Sequence, residues 1–415
     1  MTTLIQLGQQ AKEASKELRL LSTAQKNKAL TEIIQHIQNN IPAILEANAK
    51  DIKQGEKNGL TEALLDRLLL TQERLLAMTS DIQTIIDLPD PIGSVDKMWK
   101  NEQNLTIGKQ RVPLGVVGMI YESRPNVTTD AASLCFKSGN AIILRGGKEA
   151  IHSNTLLVHV MQQALKNLGI SPYAIQLITD SSRETAKEFM QLNRFLDVLI
   201  PRGGANLIKA VLETATVPVI ETGTGNCHIY VDQFAQLDMA TNIIVNGKCQ
   251  RPSVCNATET VLVHEKVAET LLPKMAEALV PFNVELRACH HAISYLPTAI
   301  SATKEDYATE FNDYILAIKV VTSLDEALQH IETYGTKHSE VIVTDSYPAS
   351  QRFLQEVDAA AVYVNASSRF TDGSAFGFGG EIGISTQKLH ARGPMGLNEL
   401  TTTKYIVLGE GQVRP

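Results

Sequence analysis

Apolar residues recur at helical spacing through the first part of the chain. Leu30, Ile33, Ile34, Ile37 and Ile41 fall along one helical face. Ser22 and Gln25 have capping-box spacing, which predicts a helix start there. Lys57-Asn58-Gly59 breaks the pattern, and Thr61 is placed to cap the next helix. Leu88-Pro89-Asp90-Pro91 closes this helical section near residue 87.

The pattern then changes. Leu105 and Ile107, followed by Gly108-Lys109-Gln110 and Val112-Pro113, predict an extended excursion over 103–114. Short apolar runs predict strands at Gly115–Ile120, Asn140–Leu144, Ala174–Ile178, Phe195–Ile200 and Val217–Glu221. Helices are predicted from Glu149 to Leu168, before Gly169, and from the Pro201-Arg202-Gly203-Gly204 turn to about Thr214. A second set of strands is predicted at Glu259–Val263, Ala317–Val321, Glu340–Val343 and Ala361–Val364, with a terminal strand at Thr403–Leu408. Strands alternating with helices imply an α/β fold whose parallel sheets have helical crossovers.

The chain has 415 residues, too many for one simple core, which implies two or three domains. The formal net charge is −7 and no basic run stands out, so a nucleic-acid footprint is not supported. An anionic substrate would therefore have to be met by a few placed Arg and Lys side chains. No stretch approaches the ~18 apolar residues of a membrane span, so no membrane role is expected. Met1–Leu7 lacks a basic region followed by an apolar run, so no signal peptide is expected. The cysteines are Cys135, Cys227, Cys249, Cys255 and Cys289. Their odd number and the lack of a CxxC pair argue against a disulfide scaffold or a metal motif, and point to a reducing cytoplasm.

Four features carry candidate chemistry. Cys255 lies in Gln250-Arg-Pro-Ser-Val-Cys-Asn-Ala257, just before a β-rich run, where a turn can expose a nucleophilic thiol. The alternatives are a buried structural cysteine, or Cys249 as nucleophile; Cys135 and Cys289, in helical-looking contexts, are expected in the core. Glu221, in Ile220-Glu-Thr-Gly-Thr-Gly-Asn226, closes a predicted strand and is either a general base or a surface carboxylate. Arg145-Gly146-Gly147-Lys148 and Arg202-Gly203-Gly204 each follow a strand and precede a helix, which suits a phosphate or an ordinary basic turn. The glycine-rich stretch 365–394 places Ser367, Arg369 and Arg392 in one long loop. The arginines there are either anion forks or solvated.

These pieces occur in one order. Val112-Pro-Leu-Gly-Val-Val-Gly-Met-Ile120, Gly139-Asn-Ala-Ile-Ile-Leu-Arg-Gly-Gly147, Glu221-Thr-Gly-Thr-Gly-Asn226 and Cys255-Asn-Ala257 together resemble the aldehyde dehydrogenase superfamily. Tyr121-Glu-Ser-Arg-Pro-Asn126, Gln250-Arg-Pro-Ser-Val-Cys-Asn256, Lys337-His-Ser-Glu340 and Gly383-Ile-Ser-Thr-Gln-Lys-Leu-His-Ala-Arg-Gly-Pro394 resemble its gamma-glutamyl phosphate reductase family. There are departures. Lys248-Cys-Gln-Arg-Pro252 replaces the family's usual Lys-Thr-Gln-Arg-Pro, and Ser123-Arg-Pro-Asn126 stands where the superfamily has Pro-Trp-Asn.

The resemblance implies a Rossmann-type NADP-binding domain (1–102 and 115–222), an α/β catalytic domain (223–395) and a β-hairpin oligomerisation arm (103–114 and 396–415). It implies reduction of L-glutamyl 5-phosphate by NADPH to L-glutamate 5-semialdehyde and phosphate, through a Cys255 thioester, in proline biosynthesis. Asn126 and the Cys255 N–H would be oxyanion donors, and Glu221 matches the superfamily's base. Arg145, Gly146, Gly147, Lys148, Arg202, Gly203, Gly204 and Asp313 would hold the cofactor. Arg124, Arg251, Ser367, Arg369 and Arg392 would hold the substrate. A homo-oligomer and an association with glutamate 5-kinase are the implied partners. The competing readings are a hydrolytic aldehyde dehydrogenase and a noncatalytic scaffold.

Overall fold

A computed structural model describes residues 3–414. Met1 and Thr2 of the Met1–Leu7 segment, and Pro415 of the expected arm, lie outside the described residues. The described residues divide into two compact units, the first comprising 3–222, 377–383 and 395–414 and the second 223–376 and 384–394. Residues 377–383 thus group with the first unit, whereas the expected boundaries put them in the catalytic domain.

The first unit begins with five helices: α1 (Leu4–Leu18), α2 (Thr23–Asn39), α3 (Ile41–Lys57), α4 (Glu62–Leu68) and α5 (Gln72–Asp87). Ser22 caps α2 in a capping box with Gln25, and Thr61 caps α4. Leu30, Ile33 and Ile37 are fully buried, each contributing roughly 1.5–3 kcal/mol of apolar burial. Next come β1 (Val95–Lys100), β2 (Thr106–Pro113), β3 (Val116–Tyr121), α6 (Pro125–Lys137), β4 (Ala141–Arg145), α7 (Ile151–Asn167), β5 (Ile175–Leu177), α8 (Arg183–Met190), β6 (Val198–Arg202) and α9 (Ala205–Thr214).

Strands β5-β4-β3-β6 form a parallel sheet in that order. The strand expected at Val217–Glu221 is reduced to a single parallel bridge between Leu199 and Val219. Pro218 has no N–H and can only accept, from Leu199 N at 2.8 Å, so a full ladder cannot form. A separate antiparallel sheet joins β1, β2 and the terminal strand Thr401–Leu408. Its β1 was not expected from the sequence.

The second unit is a seven-stranded parallel sheet. Its elements are β7 (Cys227–Val231), α10 (Leu237–Cys249), β8 (Thr258–His264), α11 (Glu265–Leu279), β9 (Glu285–Ala288), α12 (His290–Ile293), β10 (Ile300–Ser301), α13 (Lys304–Tyr307), β11 (Ile315–Val321), α14 (Leu324–Tyr334), β12 (Ser339–Val343), α15 (Tyr347–Glu356) and β13 (Ala361–Val364). The strand order is β10-β9-β11-β8-β7-β12-β13. Alternation decides its two cores. Ile229, Val231, Val261, Val263, Val341 and Val343 pack with α10 and α11. Tyr230, Leu262 and Ile342 pack with Phe353 and Ile331 on the other side. Among the described residues no helix is long and apolar enough to cross a membrane.

Candidate active site

In the first unit, register brings two predicted basic turns to one sheet edge. Ile120 pairs with Arg145 on one side of β3, and Tyr121 pairs with Arg202 on the other. Both arginines end their strands, so both turns lie at the carboxyl edge, where β3 has neighbours reached by different crossovers. That is where parallel sheets hold ligands. Glu149 braces this edge: its Oε1 accepts from Ser123 N at 2.7 Å and Ser123 Oγ at 2.6 Å. A β-carbon on Gly147 would fall 2.0 Å from the same carboxylate, so a larger residue there would displace Glu149 from its bonds to Ser123. Across the strand, Glu122 Oε2 accepts from Gly204 N at 3.0 Å. The Arg145 guanidinium donates to the Ser181 and Ser182 carbonyls at 3.1 and 2.9 Å, and burial lowers its pKa. Lys148 is exposed, with no ion pair among the described residues.

Arg124 is the N-cap residue of α6 and Asn126 lies in its first turn. Asn126 Nδ2 donates to Asp130 Oδ2, one turn on, at 3.1 Å. Burial pushes the Asp130 carboxyl up to about 7, with the Asp81 charge adding; Asn126 and Arg202 pull it back. Sequence reading missed Asp130, although its spacing of four from Asn126 was visible. Glu221 follows the Val219 bridge and is partly buried.

In the second unit, Cys255 lies in the loop between α10 and β8, and Gly225-Asn226 leads into β7. Both are therefore at the amino ends of adjacent strands. Cys255 is partly buried. Its carbonyl accepts from Cys227 Sγ at 3.3 Å, and burial, followed by the Glu340 charge, raises the Cys227 thiol well above its usual range. Gly225 N donates to Glu310 Oε1 at 2.7 Å, and Asn226 Nδ2 donates to the Tyr307 and Tyr334 carbonyls at 2.7 and 2.8 Å.

The rival Cys249 packs into the hydrophobic core at the end of α10, and burial raises its thiol to about 11. Cys135 is fully buried, in α6. Cys289 is not in a helix as expected: it is the N-cap of α12, partly buried, its sulfur accepting from Val320 N.

Residues 367–371 fold back on the nucleophile segment. Ser367 caps a short 3-10 turn, Ser368–Phe370, by accepting from Arg369 N at 3.3 Å. Arg369 Nε donates to Gln250 Oε1 at 3.0 Å. Asn256, buried and next to the nucleophile, donates to the Arg369 and Thr371 carbonyls at 3.3 and 2.9 Å. Arg251 is exposed, four residues before Cys255. Arg392 is elsewhere engaged, its Nη2 donating to Asp358 at 2.8 Å beside Lys388 and Lys337. Asp313 is an exposed loop residue before β11, its carboxylate accepting from Tyr314 N at 2.8 Å. Beneath the site, Lys248 and Glu259 form a fully buried ion pair at 2.5 Å, which the sequence reading did not single out.

Residues 4–291 match the aldehyde dehydrogenase family. A gamma-glutamyl phosphate reductase of Enterococcus faecalis is 66% identical over 414 residues, covering 100% of this chain and 99% of its own. One of Listeria innocua is 60% identical over 414 residues and 100% of both chains. The crystal structure of a gamma-glutamyl phosphate reductase from Thermotoga maritima superposes with a TM-score of 0.97 at 48% identity, covering 99% of this chain and 100% of that one. The chain belongs to the aldehyde dehydrogenase family, in its gamma-glutamyl phosphate reductase branch.

Proposed function

We propose that the chain reduces L-glutamyl 5-phosphate to L-glutamate 5-semialdehyde and phosphate with NADPH, in proline biosynthesis. The observation that carries this reading is full-length similarity to gamma-glutamyl phosphate reductases, together with a partly accessible Cys255 in the matching segment.

Cys255 as thiolate attacks the acyl carbon; the carbon–oxygen bond to phosphate breaks and a thioester forms. No activated water is needed. Asn126 and the Cys255 N–H are assigned as oxyanion donors. The chemistry NADPH supplies when bound is a hydride to the thioester carbon. Cys255 then carries a thiohemiacetal, whose collapse releases the aldehyde and returns the thiol. Glu221 is assigned to proton transfer or loop ordering, since a reductase that releases an aldehyde has no deacylating water to activate.

The carboxyl edge of β3, β4 and β6 fits a dinucleotide. Gly147, Gly203 and Gly204 bring main chain to the surface, and a β-carbon on Gly147 or Gly203 would meet the Glu149 or Glu122 side chain. Arg145, Lys148 and Arg202 supply the positive charge. Arg145 and Lys148 are assigned to the 2′-phosphate, which favours NADP; of the two, Lys148 has the exposed, unpaired ammonium. Asp313 is assigned to the nicotinamide ribose. Arg124, Arg251, Ser367, Arg369 and Arg392 are assigned to the substrate's anionic groups.

The arm is proposed to pair with a second copy. Its sheet leaves Trp99, Tyr405, Val407 and Leu408 exposed, and its outer strands have unpaired edges. Sedimentation of a Tyr405→Lys variant tests this. The lability of an acyl phosphate supports an association with glutamate 5-kinase, tested by pull-down at physiological concentration.

The reaction is tested by trapping. With glutamate 5-semialdehyde and NADP but no phosphate, intact-mass spectrometry should find a glutamyl adduct on Cys255. An unmodified Cys255 under turnover conditions would count against the thioester.

A further inference from the structure

Two arginines flank the nucleophile segment, and they are tethered to it by different means. Arg251 belongs to the same loop as Cys255. Arg369 comes from far along the chain, but its turn is pinned to that loop at several points. Its Nε donates to Gln250 at 3.0 Å, Asn256 donates to the carbonyls of Arg369 and Thr371, and Ser368 Oγ donates to the Asn256 carbonyl at 2.7 Å. Ser368 and Asn256 are buried, so the links through them are shielded from water, while the Arg369–Gln250 bond is exposed. The backbone at Arg369 is thereby held against the nucleophile loop despite the length of its own loop, and Gln250 orients its Nε.

The electrostatics are unbalanced. Burial lowers the Arg369 pKa, the Arg251 charge lowers it further, and the Cys255 and Asp372 charges act the other way. The nearby Asp372 is occupied, its Oδ1 accepting from Ser374 N and Ala375 N at 2.9 and 3.0 Å. Among the described residues neither Arg251 nor Arg369 has a carboxylate within ion-pair distance. Two guanidinium groups near enough to feel each other's charge, neither with an ion pair among the described residues, favour an anion near both.

We propose that Arg251 and Arg369 form the seat of the leaving phosphate, with the substrate's α-carboxylate held elsewhere. This rests on the acyl-phosphate reading above. The phosphate is bonded to the carbon that the thiolate attacks, whereas the α-carboxylate is at the far end of the substrate. Cations beside the thiol therefore meet the phosphate. When the sulfur–carbon bond forms, the carbon–oxygen bond breaks with its electron pair going to the phosphate oxygen. That oxygen gains negative charge, which the two arginines stabilise, and phosphate leaves after taking a proton from water. In reverse, the same pair holds phosphate for attack on the thioester.

The test reads Cys255 alkylation in the full chain without cofactor or substrate. Inorganic phosphate should protect Cys255 from iodoacetamide, and iodoacetate should gain rate relative to iodoacetamide. In Arg369→Gln both effects should fall by about tenfold or more, with partial rescue in Arg369→Lys. Arg251→Gln, at an exposed position, should weaken both without disturbing the fold. In turnover assays Arg369→Gln should raise the KM for phosphate by about tenfold and change the KM for semialdehyde by less than about twofold. Phosphate protection unchanged in both Gln variants, or a rise confined to the semialdehyde KM, would overturn the assignment. Absence of phosphate-dependent turnover in the wild type would defeat the reductase reading alone. The alkylation ratios would still decide whether the arginines form an anion seat.

Discussion

A β-carbon on Gly225 would stand 1.4 Å from the carbonyl oxygen of Cys255. The lead-in to β7 and the nucleophile loop therefore touch main chain to main chain, and no residue but glycine permits it. Gly225→Ala must push the loop away from its position. A displacement of about 1 Å at a reacting group costs on the order of a hundredfold in rate. We expect a loss of that size in turnover, with a changed rate of Cys255 alkylation. Circular dichroism should show the helices and sheets retained.

Lys248 and Glu259 are both fully buried, and each is the other's counter-ion. Burial, first of all, raises the Glu259 carboxyl to about 7, with Lys248 pulling it down. Removing one partner leaves an unpaired buried group. Lys248→Met should cost about 3–5 kcal/mol by urea unfolding. The double variant Lys248→Met/Glu259→Leu should recover much of that loss. A double variant no better than the single one would contradict this account.

Asp130 gives a pH signature. Its folded pKa of about 7 lies above the ordinary 3.8, so the folded chain favours the protonated form. The stability tied to this group is fully present below pH ~4 and is lost as pH rises through ~7. Asp130→Asn escapes that loss. The melting temperature of the variant relative to wild type should therefore climb by a few degrees between pH 4 and 7, then level off. A difference independent of pH would contradict it.

His330 works in the opposite direction. It is buried against Tyr334 and Tyr307, at ring distances of 4.6 and 5.0 Å, and burial pushes its imidazole down to about 3. Its contribution is full above pH ~6.5 and is lost as pH falls toward ~3. Replacing it with Phe should remove about one proton from the linkage, or ~1.4 kcal/mol per pH unit on the acid side. Unfolding titrations of both proteins between pH 4 and 6 measure that slope.

Much of the fold was legible because its signals are local. Ser22 with Gln25 marked the start of α2, and the runs at Glu259–Val263 and Ala317–Val321 marked β8 and β11. The strand at Val217–Glu221 failed because Pro218 cannot donate to a ladder, a veto that apolar content does not register. Strand β1 escaped because Asp96, Lys97 and Lys100 dilute its apolar pattern and every residue in it is exposed; pairing with β2 holds it in place. At the site, the residue types around Cys255 were legible, but their tethers were not. Asn256 reaches Thr371, and Gly225 reaches Glu310, across separations that only folding closes. Lys248 and Glu259 looked like two ordinary charges because nothing in the sequence shows that the last turn of α10 faces β8.

The central claim is tested most directly by NADPH formation at 340 nm from glutamate 5-semialdehyde and NADP, with and without phosphate, in wild type and Cys255→Ala. The account predicts phosphate-dependent formation that disappears in Cys255→Ala. Equal activity without phosphate, or activity surviving the loss of Cys255, would contradict it.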